Sequence, residues 1–307
     1  MFSRAPRASS RYLIGLLAML AIAGASAQEP AHGALPTKGA DPVALSADLV
    51  KTGLYVITGG GGNSLLRFSA SGSILVDAKL PGNYRALMSQ VRKISKLSDL
   101  PVRALILTDH HENHSGNSAQ FTAAGIPLIA QENAKQHLPT TTAAASGAAA
   151  GKLPAPTVTY DRDYRLRMGG VEVRLFHFGN ARTNGDTVVH FPDLKVVAVG
   201  DLFSVDAPEP DFSGGGSLVG WGPVLAQILK LDFDLVVPSA GPLVTRAALE
   251  AFKTKIDTLV SRASTLVKNG VAKDQLMAQL KTDDLGWRLN FTGEPLDRFY
   301  AELLQTP

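Results

Sequence analysis

The sequence predicts a layered α/β sandwich. Short apolar segments typical of strands occur in two clusters along the chain, and each cluster is followed by a helix. Strand and helix do not alternate strictly, as they would in a sheet built from βαβ units. The 307 residues also lack the 20–50-residue repeat that would indicate a solenoid.

Each element is predicted from apolar spacing and turn residues. Gly59 to Gly62 and Ser69 to Gly72 read as turns between strands. Leu87, Val91 and Ile94 fall on one face of a helix. The predicted strands cover residues 54–57, 64–68, 73–76, 102–107, 128–129, 171–176, 187–191, 196–199 and 235–237. The predicted helices cover residues 84–94 and 246–268.

The first 27 residues have the three parts of a secretory signal peptide. Arg4, Arg7 and Arg11 form a basic start, residues 12–23 are an apolar run, and residues 25–27 (Ala-Ser-Ala) form a small-residue cleavage signal. A membrane anchor is the alternative, but about a dozen apolar residues cannot cross a hydrocarbon core about 30 Å thick as a helix. We expect cleavage after Ala27, a secreted or periplasmic protein, and no membrane contact after cleavage.

Composition limits the mature chain further. Residues 28–50, rich in Ala, Pro and Gly, are expected to be a flexible N-terminus, and residues 51–307 a single domain with C-terminal helices. The chain has 30 basic and 27 acidic residues, and the leader accounts for three of the basic ones, so the mature chain is balanced at 27 of each. This balance makes a nucleic-acid partner unlikely. Because there is no cysteine, metal ligands would have to be His, Asp, Glu or neutral oxygens.

A dense polar cluster follows the strand at residues 102–107. It reads Thr-Asp-His-His-Glu-Asn-His-Ser-Gly-Asn over residues 108–117, with three histidines within five residues. A loop at the end of a buried strand commonly carries function. The alternative is a His-rich turn that hydrogen-bonds only its own backbone.

Four motifs, in order, favour the functional interpretation. Residues 109–114 resemble the His-x-His-x-Asp-His signature of the metallo-β-lactamase superfamily. Residues 179–187, residues 200–203 and residues 237–242 look like the superfamily's Ala-His-Thr, Gly-Asp and Pro-Gly-His-Gly-Pro segments. The resemblance implies an αββα sandwich in which loops from both halves meet at one edge around two metal ions.

The resemblance also shows how far this chain departs from the family's ligand pattern. The three histidines of the first metal fall on Asp109, His111 and Arg182, the ligands of the second on Asn113, His114 and Ala240, and the bridging aspartate on Asp201. Asp109, His111, His114 and Asp201 remain metal ligands by type, whereas Arg182 is a permanent cation and Ala240 has no donor atom. The pattern therefore argues against dinuclear zinc, and one zinc is the most that the motif supports.

Other candidates have a simpler structural interpretation. His110 is expected beside the ligands or in solvent, and His177 and His190 as hydrogen-bonded sheet histidines. His32 and His137 receive no role. Asp77 and Asp186 are expected to accept backbone hydrogen bonds. Phe212, residues 213–217 and Trp221 could line a pocket, although Trp221 could equally belong to the core.

Two functions remain open, and the sequence favours the second, a non-catalytic relative, because the changes to Asp109 and Arg182 supply each other with a partner of opposite charge. A mononuclear-metal hydrolase would act on an ester, amide or thioester with an anionic group held by Arg182. A non-catalytic relative would use Arg182 in place of the metal, paired with Asp109 or Asp201 at about 2.7–3.2 Å. A small-molecule substrate or ligand is compatible with both. A nuclease is disfavoured by export and by the balanced charge.

Overall fold

The computed structural model describes residues 44–95, 100–138 and 155–306, and these residues contain two β-sheets. The first sheet has the strand order β1-β2-β3-β4-β5-β6-β7, and the second has the order β13-β12-β11-β10-β9-β8. The strands of the first sheet are β1 (Ser46–Lys51), β2 (Leu54–Thr58), β3 (Ser64–Ser69), β4 (Gly72–Val76), β5 (Val102–Ile106), β6 (Leu128–Gln131) and β7 (Val158–Tyr160). Those of the second are β8 (Asp163–Met168), β9 (Val171–Phe176), β10 (Val188–Phe191), β11 (Val196–Gly200), β12 (Leu235–Pro238) and β13 (Val244–Thr245).

Strand β4 shows why the two sheets pack face to face. Its side chains alternate between the two faces of the sheet, and all five residues are buried. Ile74 and Val76 belong to the core between the sheets, together with Val189 and Val196 of the second sheet. Leu75 points the other way, into the core beneath the helices. Both faces of this strand are therefore covered.

Helices cover the outer faces of both sheets. The helices are α1 (Tyr84–Ile94), α2 (Glu112–Ser115), α3 (Ser118–Ala123), α4 (Glu132–His137), α5 (Leu218–Ile228), α6 (Arg246–Lys268), α7 (Lys273–Gln279) and α8 (Gly293–Leu304). Helices α1 and α3 pack on the first sheet, and α5, α6 and α8 pack on the second. The layers therefore run helix, sheet, sheet, helix, which confirms the predicted sandwich. No helix among the described residues is long and apolar enough to cross a membrane.

The structure differs from the sequence prediction at several elements. Residues 46–50, expected to be part of a flexible N-terminus, form most of β1, because their backbone pairs antiparallel with β2. Strands β7, β8 and β13 and helices α2, α3 and α5 are not among the predicted elements. The predicted leader and His32 lie outside the described residues.

Candidate metal centre

The candidate site lies where four strands end. Strands β4 and β5 run parallel in the first sheet, and β11 and β12 run parallel in the second, so each pair ends at a common edge. The residues that follow these ends are Asp77, Thr108, Asp201 and Ser239. The amide of Thr187 donates to the carbonyl of Thr108 at 2.7 Å and links the two sheets at this edge.

The turn after β5 positions three candidate ligands, Asp109, His111 and His114. One carboxylate oxygen of Asp109, Oδ1, accepts the backbone N–H of His111 at 2.7 Å. His111 has extended backbone angles and immediately precedes the short helix α2, which carries His114. Asp109 is 2% exposed and His114 is fully buried. The turn thus directs the side chains of Asp109, His111 and His114 toward one another, with His111 the most exposed of the three.

The ring of His114 is held by a carboxylate. Its Nδ1 lies 2.7 Å from Asp77 Oδ2, which also accepts the Thr108 hydroxyl at 2.6 Å. The other Asp77 oxygen accepts the Thr108 amide at 2.8 Å, so Asp77 accepts a backbone hydrogen bond as predicted and also positions a side chain. Because Nδ1–H donates to Asp77, Nε2 is the nitrogen that can offer a lone pair to a metal ion when His114 is neutral. A carboxylate behind an imidazole in this way is the usual arrangement around a metal-binding histidine.

His111 has a similar partner in Asp211. The Nε2 of His111 lies 3.2 Å from Asp211 Oδ2, and its Nδ1 faces Asp109 Oδ2 at 3.3 Å. With Nε2–H donating to Asp211, the lone pair of Nδ1 points toward Asp109. Asp211 is itself held by the Ser213 hydroxyl and the Gly214 amide.

Four donor atoms converge as a result, and we call this set the inner cluster: Asp109 Oδ2, His111 Nδ1, His114 Nε2 and Asp201 Oδ1. His114 Nε2 lies 3.6 Å from Asp109 Oδ2 and 3.4 Å from Asp201 Oδ1. Three of the atoms (Asp109 Oδ2, His111 Nδ1 and His114 Nε2) are buried and have no hydrogen-bond partner. Buried polar atoms are normally paired, and the donor types of these three neighbouring atoms are ones that a bound cation would satisfy.

The charges of the inner cluster stabilise one another. Burial lowers the pKa of His114, but Asp109, Asp77 and Asp201 outweigh it and raise that pKa well above its ordinary value. Burial raises the pKa of Asp201, but His114 and Arg182 outweigh it and hold that pKa below its ordinary value. The pKa of Asp109 is lowered in the same way, by His114 and His111 against burial. Without a metal ion, a proton on His114 balances the carboxylates.

Arg182 lies at the rim of the inner cluster. Its Nε is 3.5 Å from Asp201 Oδ2, and its Nη1 donates to the carbonyl of Glu209. Asp201, one of the two predicted partners of Arg182, is therefore in contact with it. The predicted distance of 2.7–3.2 Å between guanidinium and carboxylate is wrong, because Nη1 donates to a backbone carbonyl instead. The side chain is 20% exposed, and no contact with Asp109 occurs within the described part of the chain.

Asn113 and Ala240, the two altered positions of the family's second metal, contribute no donor to the inner cluster. Asn113 lies on α2, and its backbone carbonyl accepts the Gly62 amide at 3.1 Å. Ala240 is exposed and follows Ser239. The Ser239 hydroxyl donates to Asp201 Oδ1 and so restrains this carboxylate.

The remaining predicted residues have mixed outcomes. Asp186 accepts the Thr183 amide and hydroxyl, and burial raises its pKa to about 7. His177, directly after β9, and His190, on β10, contact the carbonyls of Asp186 and Asp232 at 2.9 Å. Nδ1 of His190 is buried without a hydrogen-bond partner, so this ring is hydrogen-bonded at one nitrogen only. Trp221 is 1% exposed and donates to the carbonyl of Leu202, so it belongs to the core. Phe212 is also part of that core.

Sequence reasoning missed Asp211, Ser239 and Asn63. Asp211 comes next to Phe212 in a loop with no known motif, and Ser239 occupies a turn that was read only for its altered neighbour Ala240. The side chain of Asn63 donates to the carbonyls of Pro238 and Gly241 at 2.9 and 3.1 Å. Its position directly after four glycines was the available signal, because such a turn brings backbones close together.

Known proteins share sequence and fold with this chain. The family model of the metallo-beta-lactamase superfamily matches residues 57–240. The chain is 25% identical to the 2,4-dinitroanisole O-demethylase subunit alpha of Nocardioides sp. (strain JS1661). The alignment spans 234 residues, which are 75% of this chain and 68% of that protein.

Solved structures show the same fold. A metallo-beta-lactamase from Pontibacter korlensis superposes on this chain with a TM-score of 0.59 at 17% identity. The match covers 69% of this chain and 99% of the lactamase chain. The stereoselective inverting sec-alkylsulfatase Pisa1 from Pseudomonas sp. superposes with a TM-score of 0.62 at 16% identity, covering 83% of this chain and 47% of its own.

Proposed function

Since this chain belongs to the metallo-β-lactamase superfamily, we propose that it is a hydrolase whose site holds one catalytic divalent metal ion, zinc by its donor set, at the inner cluster. The single observation that carries the proposal is the set of unpaired buried atoms of Asp109, His111 and His114 beside Asp201.

The spacing of the inner cluster fits one small ion. Four ligand atoms placed tetrahedrally at about 2.0–2.2 Å from zinc are about 3.3–3.6 Å apart. Three of the six pairs of atoms in the inner cluster are separated by 3.3, 3.4 and 3.6 Å, and ligand atoms of Asp109, His111 and Asp201 all lie within 4.8 Å of one another. Nitrogen and carboxylate oxygen donors are also the types that zinc prefers when thiolates are absent.

The family's second metal position does not fit an ion in the same way. Asn113 has lost the charge of the family's aspartate, and Ala240 has no donor atom. Only His114 and Asp201 would remain there, and both belong to the inner cluster. The proposed loss of the dinuclear site follows from these two positions.

Each residue around the inner cluster then has a defined task. A zinc ion held by Asp109, His111 and His114, with Asp201 beside it, would keep its fourth position for water, act as a Lewis acid and activate that water for hydrolysis. Asp77 and Asp211 fix the rings of His114 and His111 so that the correct nitrogens face inward. Ser239 restrains Asp201. Arg182, partly exposed at the rim, binds an anionic group of the substrate through Nη2, the guanidinium nitrogen that the contacts with Asp201 and Glu209 do not use.

We place the substrate among esters, amides and thioesters with an anionic group. The relative named as a 2,4-dinitroanisole O-demethylase adds methyl aryl ethers to the compounds worth testing. The test is a hydrolysis assay with metal-stripped protein, before and after addition of one zinc equivalent. Zinc-dependent turnover that is lost in Asp201→Asn supports the proposal. No turnover on any of the four classes, in protein shown to hold zinc, contradicts the hydrolase assignment.

A non-catalytic role is the second candidate, and the contact of Arg182 with Asp201 favours it. In that role the guanidinium replaces the metal's charge. The contact is long, however, and it leaves Asp109 Oδ2 unpaired. A cation that substituted for the metal would satisfy both carboxylates, so the geometry favours the metal.

Export belongs to the same proposal. The basic start, apolar run and small-residue exit of residues 1–27 support a cleaved leader and a secreted or periplasmic location. Mass analysis of the N-terminus of protein recovered from cell fractions tests this. A chain that begins near Gln28 supports it, and a chain that retains Arg4 to Arg11 contradicts it.

A further inference from the structure

A second group of possible ligands lies on the outer side of His111. His111 Nε2 and His110 Nε2 lie 3.2 and 3.5 Å from the same oxygen, Asp211 Oδ2. We call these three donor atoms the outer cluster. All three lie within 4.8 Å of one another, which is close enough to bind a single ion. The outer cluster includes none of the residues at the family's second metal position.

His110 is the unusual member of the outer cluster. Its side chain is only 10% exposed, and its Nδ1 is buried without a hydrogen-bond partner. Its ring is stacked on His111 at 4.4 Å between centroids, and the ring of His137 lies 4.8 Å away on α4. A buried imidazole is normally satisfied by hydrogen bonds. Here the imidazole is instead held in place by other rings and presents a nitrogen to a carboxylate.

From this arrangement, we propose that His110, His111 and Asp211 form a second, outer binding site for a divalent transition-metal ion such as zinc or cobalt. Two imidazole nitrogens and one carboxylate oxygen are a donor set that such ions favour, and solvent supplies the remaining positions. This site is on the Nε2 side of His111, away from the inner cluster, and includes neither Asn113 nor Ala240.

His111 would then be shared by two ions. Its Nδ1 faces the inner cluster and its Nε2 faces the outer cluster. With both ions present, the ring would release its Nε2 proton to solvent and, as an imidazolate, would offer Nδ1 to the inner ion and Nε2 to the outer ion. The negative charges of Asp109, Asp201 and Asp211 offset the added positive charge.

The experiment measures zinc bound to metal-stripped full-length chain by equilibrium dialysis and elemental analysis. Wild type is expected to bind two equivalents, and His110→Phe, which keeps an aromatic ring for stacking, is expected to bind one. His177→Gln is the matched control and should keep both. If His110→Phe does not fold, as judged by circular dichroism, His110→Gln replaces it.

A variant without the inner carboxylates separates this proposal from the proposed function. Asp109→Asn combined with Asp201→Asn should still bind one equivalent of zinc or cobalt, and adding His110→Phe should abolish it. If His110→Phe binds as much zinc as wild type with the same affinity, the outer site does not exist. If the double variant is folded and binds none, the outer site is equally refuted. If the double variant loses only one of the two zinc equivalents, the result supports both sites.

Discussion

At the scale of single residues, the hydrogen bond from His114 to Asp77 determines which imidazole nitrogen is free. Asp77 has a left-handed backbone (φ 61°), a conformation that costs a non-glycine residue free energy. Its two oxygens nevertheless receive the Thr108 amide, the Thr108 hydroxyl and His114. These three hydrogen bonds stabilise Asp77 and offset the free-energy cost of its backbone conformation.

Asp77→Asn should therefore weaken zinc binding about 10–100-fold. The amide keeps the size of the side chain but cannot accept from His114 with the strength of a carboxylate. Zinc affinity is measured by competition with a chelator. Glu172→Gln, the same chemical change on the surface of β9, is the control and should leave affinity unchanged. An unchanged affinity in Asp77→Asn would show that His114 does not bind the ion.

Arg182→Ala should lower the free energy of unfolding by less than about 1 kcal/mol when measured in metal-free buffer, because the contact with Asp201 is long and partly exposed. Turnover of anionic substrates should fall, and Arg182→Lys should recover part of it. Chemical unfolding and kinetic assays measure the two effects. A loss of 3–5 kcal/mol would instead mean that Arg182 compensates a buried charge, as in the non-catalytic role.

At the scale of elements, the site depends on how the turns after β2, β4 and β12 are joined. The buried amine of Lys79 donates to the carbonyls of Ile57 and Gly62 at 2.5 and 2.7 Å. Asn63 connects the same glycine turn to the turn after β12. These contacts hold the edges of the two sheets at a fixed distance from the inner cluster.

Lys79 should make the stability of the fold depend on pH. Burial lowers its pKa to about 7, against an attraction to Asp77, from an ordinary value of 10.5. Between these values the unfolded chain binds more protons than the folded chain, so the free energy of unfolding rises with pH. Urea unfolding at pH 7.5 and 9.5 should show a larger gain for wild type than for Lys79→Met. Equal gains would contradict a lowered pKa.

Asn63→Ala should reduce both stability and zinc affinity. It leaves the carbonyls of Pro238 and Gly241 without their partner, which costs about 1–3 kcal/mol. It also frees the turn that carries Ser239, the partner of Asp201. Ser239→Ala is the comparison and should lower zinc affinity with a smaller loss of stability. If Asn63→Ala changes neither quantity, the two turns are not coupled.

At the scale of the whole molecule, zinc binding should release protons. Because the pKa values of His114 and His111 are raised, protons compete with the ion at neutral pH. Zinc affinity should rise as pH increases from 5.5 to 7.5. Calorimetric titration at pH 7 in two buffers of different ionisation enthalpy measures the protons released, and we expect about one or more per zinc. Release of none would contradict the protonation of His114.

The sequence was sufficient for the architecture, because strand alternation and four ordered motifs are properties of neighbouring residues. It also identified Asp109, His111, His114, Arg182 and Asp201, which the fold brings together. It could not identify Asp211 or Ser239, since their roles arise from contacts across 100 and 38 positions. Strand β8 was missed because charged residues such as Arg165 and Arg167 alternate along a half-exposed edge and leave no apolar run.

The most direct test of the central claim is anomalous diffraction at the zinc absorption edge from crystals soaked in zinc. The account predicts a peak at the inner cluster, about 2.0–2.2 Å from Asp109 Oδ2, His111 Nδ1 and His114 Nε2. A map without that peak, in which the guanidinium of Arg182 lies between Asp109 and Asp201, would contradict it.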